Sequence, residues 1–357
     1  MKKLCSIPLL AALVVLVAVP AQADVPEVMA KAITDYIVPG YALLETEAGA
    51  LGARMDALCA GPSPANLETA RDQFADLVRA WARIDMIRFG PVSAENRLER
   101  VLFWPDRRSL ALKQVQAALI ERDETVLSLE TLEGKSVGLQ GLGSLEYVLF
   151  GTGSDEMAAQ NDGFRCRYGG TIARNVAGIA DTLHAAWSDP QGIAHRLIAP
   201  RPDNPDYRSA DEVLREFLGL FSHGFERMRV QELTPVLADG PGSARSKSAL
   251  FWRSGLSMDM LVWEAQGMGE LLAVSGLGAL LGENQRWIGD SFWFELANFV
   301  ATGARLDAPI DQVLTDPDGW DKVSYLSILT SSLEQIFGAQ IAGSLGVDLG
   351  FSALDGD

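Results

Sequence analysis

The sequence predicts an all-α protein built from two bundles of about four helices each. Three observations carry this. Apolar residues recur at helical spacing along most of the chain. β-Branched alternation is scarce, with no convincing hairpin signal. One proline-dense stretch, with Pro200, Pro202 and Pro205, divides the chain where no helix can continue.

The first residues form a predicted secretory signal. Lys2 and Lys3 precede an apolar core from Ile7 to Val19, and Ala21-Gln22-Ala23 is an Ala-x-Ala cleavage site. That core is shorter than the roughly 20 residues that span a bilayer. Cys5 precedes the apolar core, which excludes a lipoprotein anchor. The mature chain is therefore expected to begin near Asp24, in the periplasm, with no membrane-spanning segment of its own.

Residues 24–198 make the predicted N-terminal bundle. Within it, 26–58 reads as a long helix broken near Pro39-Gly40. Phe74, Leu77, Val78, Trp81 and Ile84 mark a helix over 66–87, with Ser63-Pro64 as cap and first turn. Residues 109–122 form another, with Ser109 as candidate cap. A glycine-rich entry at Gly141 and Gly143 leads into a short apolar helix carrying one carboxylate, Glu146. Residues 163–187 close this half. Residues 199–208 are the predicted linker. The second bundle, 209–357, opens on the capping box Ser209-Ala210-Asp211-Glu212. Helices are expected over 210–237, 246–273, 284–303 and 321–343. Leu102-Phe103-Trp104 before Ser109 is echoed by Leu250-Phe251-Trp252 before Ser257, which suggests a duplicated unit.

The chain is acidic, with a formal charge of −17 over 357 residues. Loss of Lys2 and Lys3 makes the mature protein more acidic still. Such a surface disfavours nucleic acid and anionic lipid. Cys59 and Cys166 remain after cleavage. An even count in an oxidising compartment favours one disulfide between them over two buried thiols.

Catalytic signatures are scarce. There is no His-Glu-x-x-His, phosphate-binding loop, Gly-x-Ser-x-Gly or EF-hand loop. None of the three histidines pairs with another at metal-ligand spacing on one helix.

Four segments resemble one family. Gly141-Leu-Gly-Ser-Leu-Glu146, followed by Tyr147-Val-Leu-Phe-Gly151, is similar to the Gly-x-His-x-x-Glu and Tyr-Leu-Leu-Phe-Gly signature of imelysin-like proteins. Gly143 stands where that family has histidine. Arg88-Phe-Gly-Pro91, Phe103-Trp-Pro-Asp106 and Phe251-Trp-Arg-Ser-Gly255 resemble three further family segments, in the family's order. The resemblance implies two helical-bundle domains, export, a role in bacterial iron uptake, and a site where the domains meet. It also carries a metallopeptidase label.

A histidine and a glutamate three apart share one helix face and could touch one cation. Here Gly143 removes the nitrogen donor. The implied ligand is iron or another divalent cation, bare or as a chelate, with Glu146 as the metal donor. Asp85, Glu95, Asp106, Asp259 and Glu264 are candidates to complete an oxygen-rich site. Gly141 and Gly143 either open a pocket or let helices pack closely. Arg88 and Arg253 are candidate partners of Glu146, gripping an anionic ligand or locking the two halves together. Trp104 is a candidate cleft wall. The expected ligand set is thus Glu146, Gly141, Gly143, Arg88, Trp104 and Arg253, with no catalytic residue. Glu146→Ala is expected to weaken binding and leave the fold intact. Three functions follow: a binding protein for iron or another metal that serves a membrane-bound uptake component, a metal-dependent peptidase, or a periplasmic scaffold with a decayed site.

Overall fold

The computed structural model describes residues 24–159 and 163–350; the predicted signal segment lies outside them. The described residues are helical with no strand. No helix among them is long and apolar enough to cross a membrane.

The principal helices are α1 (Val25–Ala32), α2 (Val38–Ala60), α3 (Pro64–Ala82), α4 (Leu110–Glu121), α5 (Leu142–Phe150), α6 (Phe164–Ser188), α7 (Ala210–Arg227), α8 (Ser257–Ser275), α9 (Arg286–Gly303) and α10 (Pro317–Gln335). In the first half, α2 packs along α6 and α3, and α5 packs against α6 and α3. In the second, α10 packs on α7 and α9, and α8 on α9. Phe217, Phe221, Phe292 and Phe337 form its aromatic centre.

The halves are not merely tethered. Helix α1, at the start of the first half, packs on α8 of the second, and α3 does the same. Phe251 projects from the second half to meet Phe74 edge-on at 5.8 Å, and is 1% exposed. The linker is also pinned: Asn204 donates to the carbonyls of Arg196 and Ala199.

Caps follow the chemistry with one correction. Ser63 Oγ accepts from Asn66 N at 3.2 Å. Ser209 Oγ accepts from Glu212 N, and Glu212 returns an acceptor to Arg208 N. Ser109, however, adopts φ 52° and makes no capping bond. Asp106 caps α4 instead, accepting from Leu110 N and Leu112 N at 2.7 and 3.2 Å. A carboxylate reaching both amides outcompetes a hydroxyl held in a left-handed turn.

Helix boundaries also differ from expectation: the helix expected over 66–87 ends at Ala82 and gives way to the turn Arg83–Met86. The chain does not break at Pro39-Gly40. A π-turn, Ile33–Ile37, widens the helix just ahead, and Pro39 falls in the first turn of α2 where its missing N–H is tolerated. The helix expected from 246 begins only at Ser257. Residues before it form a turn with positive φ at Phe251 and Gly255, folded around a partner from the other half.

Cys59 on α2 and Cys166 on α6 form a disulfide, with Cα atoms 5.6 Å apart. It joins residues 107 apart in sequence, which in the chain-entropy model is worth about 4–5 kcal/mol. Reduction, or replacement of both cysteines by serine, is expected to lower the melting temperature clearly, measured by thermal circular dichroism with and without dithiothreitol. An unchanged midpoint would show that α2 and α6 are held by packing alone.

Candidate functional site at the junction of the two halves

The glycines leading into α5 have different roles. A Cβ at Gly141 would lie 2.3 Å from Val101 O, and one at Gly138 would lie 2.8 Å from Ala111 Cβ. These two allow close approach of backbone. A Cβ at Gly143 would meet nothing within 4 Å. Gly143 therefore leaves space, and that space is a cleft.

The cleft holds about 290 Å³ and lies between the halves. Phe103 to Arg107, the start of α4 and the first turns of α5 line one side; Lys247 to Arg253 line the other. Trp104, Gly141, Gly143, Glu146 and Arg253 all line it. The two echoed aromatic triplets thus face one space, through Phe103 and Trp104 on one wall and Leu250, Phe251 and Trp252 on the other. Phe150 points away, onto Phe74.

Arg88 does not join this group. Its guanidinium donates to Asp85 at 2.9 and 3.1 Å, and it lines a separate pocket beside α7. Asp85 lies in the turn Arg83–Met86 and Arg88 just beyond it, three residues on, so the pairing is local.

Glu146 is 4% exposed, and its surroundings account for it. Oε1 accepts from Arg253 N at 2.9 Å, Ser254 N at 3.0 Å and Ser254 Oγ at 3.1 Å. Oε2 lies 3.8 Å from Arg253 Nη1. A carboxylate of the first half thus anchors a backbone turn of the second. The anchored turn begins at Phe251 with φ 56°, a rare conformation for a bulky residue. Burial pushes the Glu146 carboxyl above its usual range, opposed by the Ser254 amide and the Arg253 charge. Oε1 already holds three donors and Gly143 offers none of its own, so these residues are a poor fit to a bound metal ion. Among the described residues no group of three or more His, Cys, Asp or Glu could hold one.

The other candidate carboxylates are dispersed. Asp106 lines the cleft but caps α4. Asp85 and Glu264 converge, though on Arg227 rather than Glu146. Arg227 Nη2 lies 2.7 Å from both Asp85 Oδ2 and Glu264 Oε1. Nη1 lies 2.5 Å from Glu232. The π-turn Met228–Leu233 makes this last bond possible, bringing Glu232 round to Arg227 five residues earlier. Burial works against the Arg227 charge, but its three carboxylates outweigh that and keep it protonated. Burial would raise Asp85, yet Arg227 and Arg88 hold it below its usual range. Burial raises Glu264 well above its usual range, against the pull of Arg227, with Glu232 and Asp85 adding repulsion. Burial raises Glu232 too, against the pull of Arg227 and Arg88, with Asp85 adding repulsion. Asp85 belongs to the first half and the rest to the second, so this cluster also joins the halves.

Sequence reasoning missed Ser254, Lys247, Arg227 and Glu232. Arg227 did leave a signal. It lies on the buried stripe of α7 with Phe217, Phe221 and Phe225, where a charge requires partners.

A comparison with curated proteins finds no match. Among solved structures, an imelysin-like protein from Psychrobacter arcticum 273-4 superposes with TM-score 0.72 at 21% identity, over 93% of this chain and all of that one. A candidate iron-regulated protein A precursor from Parabacteroides distasonis ATCC 8503 superposes with TM-score 0.68 at 13% identity, over 90% of this chain and 96% of that one. At these identities the likeness shows the fold. The family itself is shown by sequence, since the model described as Imelysin matches residues 37–336. Together with the cleft-lining motif at Gly141–Glu146, that match establishes the chain as a member of the imelysin family.

Proposed function

We propose that this protein is an exported binding component of bacterial iron, or other metal, uptake, acting in the periplasm for a membrane-bound partner. The cleft between the halves takes its ligand. One observation carries this reading: five of the six residues expected to bind ligand line a single open cleft at the junction. A decayed scaffold would more naturally have closed the site with Tyr147 and Phe150, and the cleft is open. The iron-regulated description of one structural relative is consistent with the cargo.

Binding is favoured over peptide hydrolysis by the state of Glu146. A general base needs a free oxygen aimed at water or substrate. Here Oε1 already accepts from three donors, Oε2 lies 3.8 Å from Arg253 Nη1, and the residue is 4% exposed, so neither oxygen is aimed at free water or substrate.

A steric test is available because Gly143 has open space above it. Gly143→Trp should fill the cleft and leave the melting temperature nearly unchanged. Titration with ferrous iron, ferric iron and ferric citrate is expected to show saturable binding of at least one in the wild type, weakened at least about tenfold in the variant, as lost contact of a few kcal/mol would give. Equal binding by both proteins would place the ligand elsewhere.

A further inference from the structure

The charges around the cleft sort into two classes. Its carboxylates are occupied: Asp106 by the amides of α4, Glu146 by the turn at Arg253–Ser254. Two of its cations, Arg253 and Lys247, keep their side-chain hydrogen-bond donors unused among the described residues. The Arg253 guanidinium is mostly buried, with 20% of its side chain exposed. It stacks 4.4 Å from the Trp252 ring and 5.4 Å from the Tyr147 ring. Yet among the described residues it donates no hydrogen bond, and its closest carboxylate contact is the 3.8 Å approach to Glu146. Lys247 Nζ lies 5.6 Å from the same Trp252 ring and makes no ion pair among the described residues. Trp104 adds a buried indole Nε1 without a partner. A guanidinium fixed by two aromatic rings, with its fork of donors unused, is preorganised for a planar or tetrahedral oxyanion. In a chain of formal charge −17, this is a local reversal of sign.

We propose that the cleft recognises the oxyanion of a small carboxylate- or phosphate-bearing ligand, with Arg253 as its fork, Lys247 as a second charge and Trp252 as a wall. This rests on the reading of the cleft as the ligand site. Iron would then arrive as an anionic chelate, gripped through the chelator's oxygens. A bare cation would meet Lys247 and Arg253 at the entrance and be repelled.

The test is calorimetric titration of the purified protein with iron-free citrate, inorganic phosphate, ferric citrate and ferrous ion alone. The proteins compared are wild type, Arg253→Gln, Arg253→Lys, Lys247→Gln and Gly143→Trp, each with its melting temperature. Citrate or phosphate should bind, and the better of the two identifies the group. Arg253→Gln should weaken it at least about tenfold, the worth of a charge-assisted fork. Arg253→Lys should recover only part of this, and exposed Lys247→Gln should lose about threefold with an unchanged melting temperature. Added salt should weaken binding. If Gly143→Trp blocks binding but Arg253→Gln and Lys247→Gln do not, the cleft is the site and the oxyanion proposal falls. Ferrous ion binding alone, blocked by Gly143→Trp and insensitive to Arg253→Gln, has the same meaning. Oxyanion binding that survives every variant places the site elsewhere and removes both readings.

Discussion

Replacing Arg227 with methionine is expected to destabilise the protein by roughly 3–5 kcal/mol, because it strands buried carboxylates without their cation. Asp85, Glu232 and Glu264 all contact that guanidinium and are almost wholly buried. Among the described residues, Asp85 alone of the three is also hydrogen-bonded to a second cation, Arg88. Denaturant unfolding should show the loss, and its pH dependence should identify the cause. Asp85 lies below its usual range, so its stabilising contribution is present above the unfolded carboxylate value and lost as pH falls through the folded one. Glu232 and Glu264 lie above theirs. Their contribution is complete below the unfolded value and lost as pH rises through the folded value. Wild-type stability should therefore decline as pH rises above the ordinary carboxylate range. Glu264→Gln, which is neutral at every pH, should flatten that decline. A Glu264→Gln profile parallel to wild type would show that Glu264 is not the group holding the proton.

Glu146→Ala should cost a comparable amount, about 3–5 kcal/mol. Three donors lose their shared acceptor, and the Arg253 guanidinium loses the carboxylate 3.8 Å away. The turn that holds Phe251 in a left-handed conformation is then unanchored, and Phe251 should leave its place against Phe74. This revises the expectation from sequence that the fold would be untouched. Glu146→Gln keeps an acceptor at Oε1 and should lose only about 1–2 kcal/mol. Urea unfolding midpoints of the three proteins measure this directly. Near-equal midpoints for alanine and glutamine would mean that the hydrogen bonds to the turn contribute little.

These two residues also show where sequence was legible. Helical spans, the caps at Ser63 and Ser209 and the Cys59–Cys166 bridge rest on local periodicity, short-range hydrogen bonding and compartment chemistry, and each could be read. The presence of a task for Glu146 could be read too, since a carboxylate among Tyr147, Leu149 and Phe150 needs a reason. Its partner could not. Two of its three donors are backbone amides 107 and 108 residues away, and a backbone N–H has no sequence signature. The positive φ of Phe251 was hidden for a related reason: nothing in a bulky aromatic announces that tertiary contacts will force it there. Arg88 was misplaced because Asp85, three residues earlier, paired with it before any distant carboxylate could compete. The π-turns at Ile33–Ile37 and Met228–Leu233 were invisible as well, since one added residue leaves the apolar periodicity almost intact.

The most direct measurement is a crystal structure of the mature protein grown with ferric citrate, compared with one grown without it. Density for an iron-bearing ligand in the cleft between Trp104, Gly143 and Arg253, within hydrogen-bond distance of the Arg253 guanidinium, is the expected result. An empty cleft with the ligand bound elsewhere on the protein would contradict the assignment of the junction as the binding site.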